Sequence, residues 1–497
     1  RGHIVIRTIG IPGGAQLELG FTERQVVAGS TENAEVEIGR RDAGFGAKVL
    51  VEAGPTATAV LIPRHLDLPI RVRVTDAVPL DQVAVGAELV RPSAHGFDLR
   101  FRDRHGIAWG DYDGDGSSDA FIAGGGLSSE IDAYKAIVAD ELLLGGGEGG
   151  APSFTDAYDD SRLRKGACRT REAAAFDYDL DGTTDLFLSC EGGLPRLALG
   201  RKHGKFRDRS GLIRIIGDAG RGPAYRWVEL NGDPGLELAV ATEEGLRLYE
   251  REAKALELVA ELGGRHSRGI GNIAVGDFDS DSDADLLVPS AGGTTLYTNR
   301  RGALTPRDPR KFGLPGARVR AASWIDYDND GRLDLHAHPR GLYAGSASGG
   351  FERTPFLRLP EPNGEARVSW FDADTDGDLE PVSTSRVRDS NRWVPLRYEN
   401  TGRTRHWIAV DLGRPGGSPT ALGARVRVRT ADGVSTSWVG AREGARYSSG
   451  NYRVHFGLAN RRSARWLKID WPDGTRQRIK DPEIDRVLLV EPPQRTG

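Results

Sequence analysis

Short runs in which apolar and polar residues alternate recur along the chain, each stopped by Gly, Pro or Asp. HIVIRTI at 3–9, KVLVEA at 48–53, TAVLIP at 58–63 and PIRVRV at 69–74 are examples. A period of two puts alternate side chains on one buried face, so these runs predict β-strands. Residues 1–92 are therefore expected to form a small antiparallel domain, either a sandwich or an extra blade of the repeat that follows. No chemical motif lies in it, and Arg91-Pro92-Ser93 reads as a linker.

From about residue 97 an acidic loop recurs, flanked each time by apolar runs such as IAWG and AFIAG, AAAF and LFLS, or ASWI and LHAH. The clearest copy is DYDNDGRLD, with Asp326, Asp328, Asp330 and Asp334 at positions one, three, five and nine and Gly331 at six. Its siblings are Asp111, Asp113, Asp115 and Asp119; Asp177, Asp179, Asp181 and Asp185; Asp277, Asp279, Asp281 and Asp285; and Asp372, Asp374, Asp376 and Glu380. A degraded copy runs Glu229, Asn231, Asp233 and Glu237, with Pro234 in place of Gly. Ser282 takes the glycine position in the copy that starts at Asp277. First positions at 111, 177, 229, 277, 326 and 372 set a period near 45–50 residues.

Carboxylates this close repel one another unless a hard cation sits among them, and the alternating oxygens suit calcium. Five Ca²⁺ ions are expected, with weak or no binding in the degraded loop. An EF-hand would need flanking helices and a bidentate Glu at position twelve. The residues there are Ile122, Leu188, Val288, Ala337 and Ser383, so that reading fails. What remains is a loop joining two strands of a hairpin, completed by strands such as RLYERE at 247–252 and TLYTNR at 295–300. Units of four strands at this period predict an all-β propeller over 97–400, six- to eight-bladed with seven expected. The first repeat is longer by about 20 residues, and SSEIDAYKAIVADELLL within it is expected to be a helix-bearing insertion over one face.

DYDxDGxxDL followed by an LYxN-type strand resembles the FG-GAP or VCBS repeats of integrin-type β-propellers. After Asn400 the acidic period stops, and RHWIAVDLG, LGARVRVRT, YRVHFGLAN and LKIDWPDGTRQRI follow as strands with Gly and Asp-Gly turns. Through HFGL at 455–458, WPDG at 471–474 and Gly423-Ala424-Arg425, residues 401–497 resemble an ASPIC/UnbV domain. The combination is similar to the cartilage acidic protein (CRTAC-like) family. That resemblance implies an exported protein, secreted, periplasmic or at the cell surface, whose molecular activity is mostly undefined. ARYSSGN departs from the family's longer Gly-Tyr segment, and Ser448 and Ser449 within it have no recognisable base or acid partner.

Composition fits this picture. The 497 residues hold 66 glycines and few aromatics, as a turn-rich β protein should, and no apolar run is long enough to span a membrane. The chain opens at Arg1 without an initiator or signal peptide, so a processed form is expected. Net charge is −4, and five bound Ca²⁺ would shift it to about +6, carried largely by arginine. Arginine suits carboxylate, sulfate or phosphate partners, whereas no stretch interleaves basic and aromatic residues as a nucleic-acid site does. Cys168 and Cys190 bracket one acidic loop and are expected to form a disulfide.

No nucleophile elbow, phosphate loop, zinc spacing or dinucleotide fingerprint appears. Three functional classes follow, in order of preference. The first is a calcium-stabilised binding or adhesion module for a protein or an acidic glycan. The second is a propeller enzyme acting on polysaccharide as a calcium-dependent lyase or hydrolase. The third is a transition-metal or redox protein centred on His336 and His338, which face one side of a predicted strand. His455, among apolar neighbours, is expected to be a satisfied core histidine.

Overall fold

A computed structural model describes the backbone of residues 4–9, 16–21, 26–32, 34–41, 44–51, 56–63, 70–74 and 83–85. It also describes residues 104–493, except 125–139, 147–152, 164–168, 192, 214, 216–222, 265, 267–268, 355–366, 373, 387–392, 399, 401–404, 414–420 and 442–452. Two compact units result, one holding the strands before residue 103 and the other the strands that begin at Arg104.

In the first unit, strands Ile4–Ile9, Val26–Glu32, Thr56–Pro63 and Val83–Val85 make one four-stranded sheet. Gln16–Phe21, Ala34–Arg41, Gly44–Val51 and Ile70–Val74 make another. All their pairings are antiparallel.

The second unit is a β-propeller followed by a smaller β domain. Six consecutive antiparallel sheets lie between Arg104 and Arg397, five of four strands and the last of three among the described residues. Each is a meander in chain order, and the acidic loop joins its first two strands. In the fifth blade, Ala321–Ile325 pairs with Asp334–His338, then Gly341–Gly345, then Phe351–Arg353. Second strands such as Glu237–Thr242 and Asp285–Val288 are buried along their whole length, which is why they read as unbroken apolar runs. Fourth strands such as Lys205–Asp208 and Thr305–Arg307 are mostly exposed.

The expected helix is not found at ELLL. Glu141–Gly146 is the third strand of the first blade, paired with Asp119–Gly124 and Ser153–Asp156, and Leu142 is fully buried. Sheet pairing and burial override the helical propensity of those leucines. The rest of the proposed insertion, 125–139 and 147–152, lies outside the described residues.

Aromatic side chains fill the space between blades. Phe176 of the second blade meets Trp227 of the third with ring centroids 4.3 Å apart, and Phe278, Trp324 and Phe351 cluster between the fourth and fifth. After the propeller, His406–Leu412 pairs with Arg453–Ala459 and, in parallel, with Val487–Val490. A second sheet has the order Val434–Trp438, Arg425–Arg429, Trp466–Asp470, Arg476–Lys480. Ile408, Val426, Phe456 and Leu467 are among the residues of the core between these sheets.

Trp324 is 1% exposed at the centre of an aromatic cluster. Trp324→Ala should therefore cost about 3–5 kcal/mol. A urea midpoint that barely moves would show that the blade junction tolerates a cavity there.

Candidate functional site: the acidic loops and the domain docked on them

Each acidic loop is held by its own carboxylates. The position-one carboxylate accepts hydrogen bonds from amides further along the loop. Asp177 takes the amides of Asp181 (3.0 Å) and Gly182 (2.8 Å), and Asp326 those of Asp330 (3.0 Å) and Gly331 (2.9 Å). At position six the backbone has positive φ, 88° at Gly182 and 83° at Gly331, which explains the glycine.

Position nine does more than the sequence indicates. Asp185 accepts the Tyr178 amide (2.7 Å) from the loop on one oxygen and the Gly200 amide (2.7 Å) from the third strand on the other. The same pair of hydrogen bonds forms at Asp119 from the Tyr112 and Gly145 amides, at Asp285 from those of Phe278 and Asn299, and at Asp334 from those of Tyr327 and Gly345. The third-strand partner comes so close that a Cβ on Gly200 would lie 2.2 Å from the Thr184 carbonyl oxygen. Nothing in the loop motif itself points to that glycine. The only hint is its recurrence at 145, 200 and 345.

Carboxylate oxygens gather within 4.8 Å of one another in five triads: Asp111, Asp113 and Asp115; Asp177, Asp179 and Asp185; Asp277, Asp279 and Asp285; Asp326, Asp328 and Asp334; Asp372, Asp374 and Glu380. Asp119 stands outside the first triad, and Asp181, Asp281, Asp330 and Asp376 stand outside the others. These last four each accept an amide two residues on. Burial pushes the proton affinity of the position-nine groups up, to about 8 at Asp185, Asp285 and Asp334 and to about 6 at Asp119. Burial raises Asp277 and Asp326 to about 7, and the neighbouring Asp281 and Asp328 charges add to this.

The degraded loop keeps the frame, since the Leu230 amide donates to Glu237 (2.7 Å) and the Gly232 amide to Glu229. It does not form an acidic triad among the described residues.

The C-terminal domain is docked on this loop. The Gly235 amide donates to the Pro472 carbonyl (2.7 Å), Pro234 packs at Gly474, and Leu236 packs at Gly423. In the fourth loop, Ser282 has φ of 73° where glycine would be easier, and its hydroxyl is bonded by Thr436 Oγ1 (2.9 Å). Arg425 Nη1 donates to the Ser282 carbonyl (3.3 Å). In the fifth loop, the Gly457 amide donates to Asp326 Oδ2 (3.1 Å), His455 Nε2 to Asn329 Oδ1 (2.6 Å), and Arg405 pairs with Asp328 (3.0 Å). In the sixth, Gly377 abuts Trp407. Asn329 Nδ2 also donates to the Gly377 carbonyl (2.9 Å), so one side chain ties the fifth loop to the sixth and to the C-terminal domain.

Residues 414–497 match the family described as ASPIC and UnbV, and residues 229–288 and 280–337 match the FG-GAP-like repeat. The chain joins an FG-GAP propeller to an ASPIC/UnbV domain. HFGL, WPDG and Gly423-Ala424-Arg425, which carry the ASPIC/UnbV resemblance, are thus the segments that meet the FG-GAP loops. No curated protein matches the chain. Among solved structures, an Agrocybe aegerita lectin that recognises non-reducing terminal N-acetylglucosamine is 14% identical, over 76% of this chain and 92% of its own, at a TM-score of 0.45. AofleA from Arthrobotrys oligospora, as a mutant, is 10% identical over 61% of this chain and 88% of its own, at 0.36. The V. cholerae biofilm matrix protein Bap1 is 12% identical over 76% and 59%, at 0.29. At these scores the likeness identifies no ligand.

His336 and His338 lie on the buried second strand of the fifth blade, with ring centroids 6.4 Å apart. His336 Nδ1 accepts from Trp370 Nε1 (3.2 Å), and neither histidine joins a group of three metal-ligating side chains among the described residues. Burial and the neighbouring His338 lower the His336 proton affinity to about 3, so it is a neutral core residue. His455 is buried and stacked on Trp407 at the junction with the ASPIC/UnbV domain. Cys190 is the penultimate residue of strand Asp185–Glu191, but Cys168 lies outside the described residues, as do Ser448 and Ser449.

A Cβ on Gly457 would lie 2.3 Å from Asp326 Oδ2 and 2.4 Å from the Asn329 backbone. Gly457→Ala should cost about 1–3 kcal/mol and expose the 453–459 strand to amide exchange. Unchanged exchange there would mean that the contact with the fifth loop does not hold the domain.

Proposed function

We propose that the protein is a calcium-stabilised binding module in which the FG-GAP loops hold the metal and the ligand is a protein or an acidic glycan. The observation that carries the calcium assignment is the recurrence of all-oxygen triads, four of which include a buried carboxylate, with burial raising the proton affinity of Asp185, Asp285 and Asp334. Calcium, a hard cation, supplies the positive charge such groups require. Asp372 Oδ1, buried without a hydrogen-bond partner, fits a site built for an ion. Five equivalent sets, one in each of five blades, serve maintenance of the scaffold better than a single active site. Ligand binding then belongs to surfaces outside the loops, and export to a calcium-rich compartment follows from the same reading.

The polysaccharide-enzyme alternative finds little support in the cleft of about 330 Å³ between the fourth and fifth loops and the ASPIC/UnbV domain. Its His455 is bonded to Asn329 and its Arg332 to Asp330, so neither is poised for proton transfer.

Calcium should raise the melting temperature by about 5 °C or more over the chelated protein, because it binds only the folded state. The pH dependence has a defined sign. A carboxyl whose folded proton affinity is raised contributes stability below about pH 4 and loses it as pH rises toward its folded value, here about 8 at Asp185, Asp285 and Asp334. The chelated protein should lose that contribution between pH 5 and pH 8, so the calcium-induced shift should be larger at pH 8. Melting curves that ignore calcium at both pH values would refute the metal assignment.

Asp328→Ala should remove one calcium from the titrated stoichiometry, whereas Asp233→Ala in the degraded loop should remove none. Isothermal titration showing equal losses would overturn the distinction between the two loops.

A further inference from the structure

The second sheet of the ASPIC/UnbV domain carries a concentration of positive charge of which only Arg425 was met above, in a contact with the Ser282 carbonyl. Alternation along Arg425–Arg429, Trp466–Asp470 and Arg476–Lys480 sends one set of side chains into the core, including Val426, Val428, Leu467 and Ile469. The opposite set forms three rows across the sheet. Arg427 faces Lys468, which faces Arg478; Arg429 faces Trp466, which faces Lys480; Arg425 faces Asp470, which faces Arg476. One face thus bears seven cations and a single carboxylate.

That carboxylate is already oversubscribed. Asp470 Oδ2 accepts from Arg425 Nη2 (2.9 Å) and Arg427 Nη2 (2.6 Å), and Arg476 Nε lies 3.8 Å from its other oxygen. Nearby acids are committed elsewhere, Asp432 to Arg461, Glu483 to Arg486 and Asp485 to His406. Like charges directly opposite on neighbouring strands destabilise a sheet, and the Arg427, Lys468, Arg478 row places three in line. Arg476, Arg478 and Lys480 are exposed. A solvated face would be the ordinary reading of scattered lysines and arginines, but a strand-to-strand row of cations costs stability unless an anion bridges it.

We propose that this face binds an anionic polysaccharide, engaging sulfate or carboxylate groups along the cation rows. The inference rests on the binding-module reading above and names the surface and ligand class. Guanidinium groups match carboxylate and sulfate with paired donors. A nucleic acid fits less well, because single strands need open aromatic platforms for their bases. Of the aromatic rings on this face, Trp438 is buried against a propeller cluster, and Trp466 is covered by Lys468 Nζ at 4.6 Å and by the Arg478 guanidinium at 5.8 Å.

The test uses the full chain with calcium present and three probes: a heparin dodecasaccharide, polygalacturonate and a 20-nucleotide single-stranded DNA. Arg478→Glu with Lys480→Glu should weaken binding to heparin or polygalacturonate at least tenfold. Arg478→Gln with Lys480→Gln should weaken it less and retain the wild-type melting curve, which guards against misfolding. Lys205→Glu with Arg207→Glu makes the same charge change on an exposed propeller strand and should alter affinity less than twofold. Binding should weaken with added salt. Equal losses in the two glutamate pairs, or no polysaccharide binding by the wild-type chain, would overturn the proposal. Tighter DNA binding through the same residues would overturn it in favour of nucleic acid. The calcium-induced melting shift, measured on the same samples, tests the metal reading separately and should persist in every variant.

Discussion

The constraint on which the propeller depends is a buried carboxylate with two amides to satisfy. In four loops the position-nine residue, Asp119, Asp185, Asp285 or Asp334, joins the start of that loop to the third strand of the same blade. Without it the hairpin and the strand beside it would lose a shared anchor, and two buried N–H groups would go unpaired. Burying the anchor has a consequence of its own: an isolated carboxylate in that setting holds its proton toward neutral pH. The surrounding Asp side chains deepen the repulsion, which the calcium proposed above would resolve. On that proposal, fold and metal preference would be two results of one placement.

The docked ASPIC/UnbV domain exploits the same frame. Where the third loop departs from its siblings, Pro234, Gly235 and Leu236 meet Pro472, Gly474 and Gly423. Where the fourth loop has serine in a left-handed conformation, the hydroxyl gained is bonded to Thr436. These irregularities look like decay within a repeat, but they are positions where a protein surface has become the loop's partner. Trp438 and Leu422 extend the contact into the propeller's own apolar clusters. Burial of those side chains contributes about 1.5–3 kcal/mol each, so the docking is held by packing as well as by polar contacts.

Much of this was legible in the sequence. The all-β class, the repeated hairpin loops and the ASPIC/UnbV segment follow from alternation, period and motif, because each is a local pattern of side chains. Residues outside the local motif were harder to read. Gly145, Gly200 and Gly345 are far from the loops they serve, and only the sheet register brings them to Asp119, Asp185 and Asp334. His455 reads as a core histidine from its apolar neighbours, and it is buried, but its partner Asn329 is 126 positions away. The ELLL segment misleads because leucine favours helix locally while a third strand demands it globally. The basic face was hidden for a related reason. RVRVR and RQRIK are visible as separate short runs, and only pairing through Trp466–Asp470 makes them one surface.

Arg425 shows how the two halves of the domain's surface are joined. Its Nη1 donates to the carbonyl of Ser282 in the fourth acidic loop, and its Nε and Nη2 hold Asp470 on the basic face. One guanidinium thus spans the boundary between a region of concentrated negative charge and a region of concentrated positive charge. Lysine could not make that bridge, since it offers a single nitrogen instead of a planar fork with donors on several sides. The separation of charge has a physical logic. Acidic loops beside an unneutralised basic sheet would attract one another, and the sheet would compete with any cation for the same carboxylates. With Asp470 engaging the cations nearest the loops, the remaining basic rows are left to face outward.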